Sequence, residues 1–152
     1  MTRRISDIKE VITLLEVLKI LRNENNRKAR KIIYHIYLKF DNKFFLKVTQ
    51  KPNIRNYIDL VKGDFDEIGF LMSIGLLKKE PFFDLYSDTV RRSWIALKQS
   101  IVHERKHRRI KTKSKGDSEQ FMKYFEYLAN QAKKYRNSKH LPEPEIIDLT
   151  NL

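Results

Sequence analysis

Apolar residues return every three or four positions along nearly the whole chain, and this period constrains the fold more than any other feature. Ile8, Val11, Ile12, Leu15 and Leu18 keep the period in a first helix that starts at Ser6 or Asp7 and ends at Arg22. Asp7 followed by Glu10 is a start of the capping-box type. Leu14, Val17, Ile20 and Leu21 add apolar surface outside that stripe, so the helix is either central to a bundle or half covered by something else. A second helix is expected from Asn26 towards Leu46, with Ala29, Ile32, Ile33, Ile36, Phe40 and Phe44 on one face. The alternation Phe44, Leu46, Val48 also suits a short strand, for which the sequence offers no partner.

Pro52 and Asn53 punctuate before a short helix over 53–62. Asp64 with Glu67, just after Gly63, predicts a further helix to Ile74, closed by Gly75 in the left-handed conformation. Pro81 suits the first turn of a short helix ending at Tyr86. Ser87 or Asp88 then opens the longest helix, whose seam is Val90, Trp94, Leu97 and Ile101. Residues 111–116 read as a polar loop. Asp117, with Gln120 three residues on, opens a last helix lined by Phe121, Tyr124, Phe125, Leu128, Ala132 and Tyr135. Four glycines and four prolines are too few for a fold built on tight turns. The expectation is an all-α, single-domain helical bundle of six or seven helices over 1–136, followed by an extended tail over 137–152. In that tail Pro142 and Pro144 bracket Glu143, and Ile146, Ile147, Leu149 and Leu152 are apolar enough to dock.

The absence of cysteine excludes disulfides, thiolate metal sites and cysteine nucleophiles together, and fits a cytoplasmic location. The apolar stretch 5–21 contains Asp7, Lys9, Glu10, Glu16 and Lys19, which makes it neither a signal-peptide core nor a membrane span. A soluble protein is expected.

Charge is unevenly spread. The formal total is +13. Residues 1–51 carry 13 basic and 5 acidic side chains, and 91–116 carry 10 and 1. The segment between them has 4 basic and 7 acidic residues, and 117–152 has 5 and 6. Such blocks point to a polyanionic partner, nucleic acid foremost. The candidate contacts are Arg105, Lys106, Arg108, Arg109, Lys111, Lys113 and Lys115, with a second cluster of Arg27, Lys28, Arg30 and Lys31. Lysine and arginine would meet phosphates without reading bases. Aromatic residues beside lysines, such as Phe40, Phe44 and Phe45, read as core side chains before base-stacking ones.

His103-Glu104-Arg105-Lys106-His107 matches the H-E-x-x-H pattern, in which two imidazoles one turn apart share Zn²⁺ and the Glu serves as base. The surrounding Arg105, Lys106, Arg108 and Arg109 repel a dication, and both histidines lie more than about 100° from the Trp94 seam. The match therefore reads as a solvated helix end, with no metal and no cofactor expected. A helix-turn-helix around Gly75 fails because Glu80, Asp84 and Asp88 would face phosphate. No Gly-rich phosphate loop, nucleophile elbow or carboxylate-x-x-His pair is present, so the chain is not expected to be an enzyme.

The segments Asp64-Phe65-Asp66-Glu67-Ile68-Gly69, Ile74-Gly75-Leu76-Leu77 and Leu85-Tyr86-Ser87-Asp88 precede a helix that holds Trp94 and ends near Arg105. Together with Phe125-Glu126-Tyr127-Leu128-Ala129, they resemble a prokaryotic all-helical family known only as a domain of unknown function, over roughly the latter two-thirds of the chain. The resemblance implies a helical fold packed around Trp94, Gly75 and 125–128, and implies no catalytic residues. Many members of that family carry an N-terminal membrane anchor, from which this chain departs through the charges in its first helix.

The expected function is a non-enzymatic binding protein that contacts nucleic acid or another polyanion through 27–31 and 91–116. The alternative is a protein-interaction or homodimerising module that uses the first helix and the tail. In either case the acidic tail could mask a basic face of its own molecule.

Overall fold

The computed structural model describes residues 2–112 and 115–149, with side chains over 7–111 and 116–149. Helices account for most of them: α1 (Thr2–Arg22), α2 (Glu24–Lys39), α3 (Asn42–Val48), α4 (Pro52–Ser73), α5 (Lys79–Thr112), α6 (Lys115–Gln120) and α7 (Lys123–Ser138). No strand occurs among the described residues, and the fold is an all-α bundle. None of these helices is long and apolar enough to cross a membrane.

The centre of the bundle is the packing of α4 and α5 against α7, with α2 laid on α4 and α1 outermost. Val61, Phe65 and Ile68 of α4 meet Val90, Trp94 and Leu97 of α5 and Phe125 and Leu128 of α7 in one buried cluster. Phe125 stacks on Phe65 with ring centres 5.1 Å apart and takes the edge of Trp94 at 5.2 Å. This crossing depends on Gly69. A Cβ there would collide with the carbonyl oxygen of Tyr124 and stand 2.6 Å from its carbonyl carbon. The same crossing supplies the start of α7. Met122 turns the chain through the left-handed region (φ 58°), and Asp66 of α4 accepts hydrogen bonds from the Tyr124 and Phe125 N–H groups at 3.1 and 3.0 Å.

Several boundaries depart from the sequence reading. The helix expected over 26–46 breaks at Phe40, which adopts extended backbone, and Asp41 then caps α3 by accepting the Phe44 N–H at 3.0 Å. The break rotates the aromatic pair, so that Phe45 is 3% exposed and Phe44 is 55% exposed. The strand alternative for 44–48 is replaced by this helix. The two helices expected on either side of Gly63 are one, α4. Gly63 has open space around it, and burial of Val61, Phe65 and Ile68 outweighs a helix penalty of about 1 kcal/mol. Asp64 opens no helix and instead accepts a hydrogen bond from the Asn26 side chain at 2.8 Å.

The helices expected before and after Ser87 are likewise one, α5, with Pro81 tolerated in its first turn. The last helix begins at Lys123, because the Asp117 start belongs to the separate six-residue α6. The loop expected over 111–116 is narrower, since α5 runs to Thr112 and α6 starts at Lys115. Gly75 does close α4 in the left-handed conformation (φ 81°), with the Leu76 and Leu77 N–H groups returning to the Leu71 carbonyl.

Beyond α7 the chain is extended and lies against α5 and α2. Arg91, itself buried, grips both Glu143 carboxylate oxygens at 2.7 and 2.8 Å. Arg92 donates to the Glu145 carbonyl, Arg136 donates twice to the Pro142 carbonyl, and His35 meets Asp148 at 2.9 Å. Ile146 and Leu149 pack on the core. The Arg91 guanidinium holds the Glu143 carboxyl below the usual carboxylate range, against the opposing pull of desolvation.

Candidate polyanion-binding groove

α5 is 34 residues long, and Ile101 is the last residue of its buried seam. The turns beyond Ile101 run past the core and lie alongside α3. In this overhang His103, His107 and Lys111 follow at four-residue spacing on one face, with Glu104 and Arg108 beside them. Opposite stand Lys43 and Lys47, one turn apart on α3, and Arg55 in the first turn of α4. These side chains, with Leu46 and Gln50, line a groove of 710 Å³. Five cations face one carboxylate there, and Glu104 is already engaged with Arg108 at 3.2 Å. Arg55 lies 3.8 Å from Asp59.

Arg108 is anchored at the groove wall: it pairs with Glu104, and its guanidinium lies 4.1 Å from the Phe121 ring centre, a cation–π contact that limits the rotamers it can adopt. Lys62 also approaches that ring, with its ammonium 5.2 Å from the Phe121 centre and 3.8 Å from Asp59. Burial pushes the Lys62 ammonium below its ordinary range, and the nearby Asp59 and Glu104 carboxylates oppose that shift.

The sequence-predicted residues separate on the structure. Arg108 and Lys111 line the groove. Arg105 points the other way, donating to the Phe121 carbonyl at 2.8 Å and to Glu126 at 2.6 Å, so it ties α5 to the start of α7. Lys106 and Arg109 are exposed and do not line the groove. Lys113 lies outside the described residues, as does the side chain of Lys115. The 27–31 cluster belongs to a different recess of 360 Å³, which Arg27, Arg30 and Lys31 share with Tyr34, Tyr86 and Leu149 of the tail. Arg30 is committed to Asn26 and to the Leu21 carbonyl, and Lys28 lies over Tyr57. The two basic clusters therefore form two surfaces.

His103 and His107 are exposed and stacked, with ring centres 6.4 Å apart. Glu104 pairs with Arg108, and no group of three or more His, Asp or Glu among the described residues is disposed to hold a metal ion. Sequence reasoning missed Lys43, Lys47, Gln50 and Arg55. Lys43 and Lys47 stand at helical spacing, but they lie outside the two clusters read from sequence, and only the break at Phe40 and the packing of α3 beside α5 bring them to the groove. No protein-family model, curated protein or solved structure matches the chain.

Proposed function

We propose that the chain is a non-enzymatic binding protein that holds the backbone of a nucleic acid in the groove between α3, α4 and the overhang of α5. The supporting observation is the convergence of Lys43, Lys47, Arg55, Arg108 and Lys111, which come from three helices, on one concave surface. A polyanion crossing that surface meets several fixed cations together and releases its condensed counterions. Three to four phosphates neutralised correspond to a salt slope of about −3 for a duplex. Apart from Gln50 and the imidazoles of His103 and His107, the polar lining is charged side chains, so contacts fall mainly on phosphate and sugar and sequence preference is small.

Fluorescence anisotropy with labelled DNA and RNA oligomers at two salt concentrations tests this. Lys47→Glu with Lys111→Glu should weaken binding at least tenfold on unrelated sequences and flatten the salt slope. Arg27→Glu with Lys31→Glu, on the separate recess, should change affinity no more than about threefold at near-physiological salt, where a Debye length of about 8 Å screens distant charge. Equal effects from both pairs, or none from the first, would reject the groove.

A further inference from the structure

The outer face of α1 carries a strip that the fold leaves uncovered. Ile8, Val11, Ile12 and Leu15 are exposed by 58%, 56%, 53% and 51%. They stand at positions i, i+3, i+4 and i+7, which places them on one helical face. The helix is fixed with that face outward. Val17 and Leu21 are buried on the far side, Leu18 is buried one turn beyond Leu15, and Glu10 pairs with Lys78 at 2.9 Å, which clamps the N-terminal half of α1 to the turn before α5.

We infer that this strip is the contact between two copies of the chain, with their α1 helices packed antiparallel, in addition to the polyanion groove. Charge selects both the occupant and the direction. Lys9 and Glu16 are seven residues apart and so lie within about 20° of each other, along one edge of the strip. An antiparallel second copy that sets Ile12 against its Leu15 brings each Lys9 beside a Glu16, twice by symmetry. A parallel copy, related by a two-fold along the seam, carries that edge to the opposite side, so the Lys9–Glu16 pair does not form. The same antiparallel register lays the aliphatic stem of Lys19 over Ile8 of the second copy, while its ammonium stays on Glu16 of its own helix at 3.1 Å, leaving the other Glu16 oxygen to Lys9 of the second copy. Asp7 and Glu16 border the strip as well, which disfavours an anionic lipid surface as the occupant.

The size of the contact sets its strength. Twenty-one residues of helix extend about 30 Å. Two such helices with their flanks bury on the order of 600 Å² per chain, the lower edge of specific interfaces. Association is therefore expected in the micromolar range, as a concentration-dependent equilibrium between monomer and dimer.

Sedimentation velocity from about 1 to 300 µM reads this directly, with circular dichroism confirming that each variant is folded. The expected result is a dimer that forms within that range and is lost, by at least tenfold in dissociation constant, in Ile12→Glu with Leu15→Glu. Lys9→Glu alone should weaken the dimer and the swap of Lys9→Glu with Glu16→Lys should restore it, which an unspecific hydrophobic association would not do. A chain that stays monomeric at 300 µM, a dimer indifferent to the double substitution, or a monomer that sediments with anionic vesicles through this strip would overturn the inference.

Discussion

Two glycines on the same helix have opposite roles. Gly63 and Gly69 both lie within α4, yet the space that a methyl group would enter is open at one and filled by the backbone of α7 at the other. Gly63→Ala should raise stability by about 0.5–1 kcal/mol, because only the conformational entropy of the unfolded chain changes. Gly69→Ala must push α7 away from α4 and unseat the Phe65–Phe125 stack, and should cost about 3 kcal/mol or more. Urea denaturation of both variants beside the parent measures the contrast. A sequence read without coordinates treats these residues alike, as punctuation, since the difference lies in which helix crosses above.

Glu143 is the acid-sensitive point. Arg91 depresses its carboxyl in the folded state, so the stabilisation is fully present above the unfolded carboxylate value of about 4.3 and is lost as pH falls through the lower folded value. Below about pH 4 the segment 142–149 should become accessible to an acid-active protease before the bundle unfolds. Glu143→Gln should show the same accessibility at neutral pH, because the buried Arg91 loses its charged partner.

At the scale of elements, periodicity located the helices and misjudged where they join or part. The buried seam of α5 and the inward face of α7 were legible because each repeats over several turns. The joins were not, since tertiary burial carries α4 through Gly63 and α5 through Ser87, while a single capping carboxylate at Asp41 stops α2. The start of α7 shows the limit most sharply. Its cap is Asp66, which lies 58 residues from Tyr124, and no local motif announces it. Asp66→Ala removes the acceptor for two N–H groups and should cost about 1–2 kcal/mol, measured as a lower urea midpoint with the m-value unchanged.

The first helix divides in the same way. Its apolar excess was visible in sequence, but Leu18 and Leu21 turn inward and the free face belongs to Ile8, Val11, Ile12 and Leu15.

For the whole molecule, the uneven charge of the sequence becomes separate surfaces. The 103–111 overhang joins α3 and the start of α4 to make a groove, while the 27–31 cluster sits beside the tail on another recess. Block charge along a chain cannot reveal this, because it sums Arg105 and Arg30, which hold the fold together, with Lys111, which lines the groove. The acidic tail meets Arg91, Arg92, Arg136 and His35, none of which lines the groove. Its removal is therefore expected to leave groove affinity within about twofold while lowering thermal stability, since Ile146 and Leu149 would leave the core.

That tail also orders events in time. Asp148 meets His35 across 113 residues of intervening chain, so the contact cannot form until almost all of the described polypeptide has been made. The helices can assemble before that contact forms, with Arg91 waiting for its carboxylate. The strap would be the last element to close and the first to open, and its backbone amides should exchange with solvent at a lower free energy than those of α4 and α7.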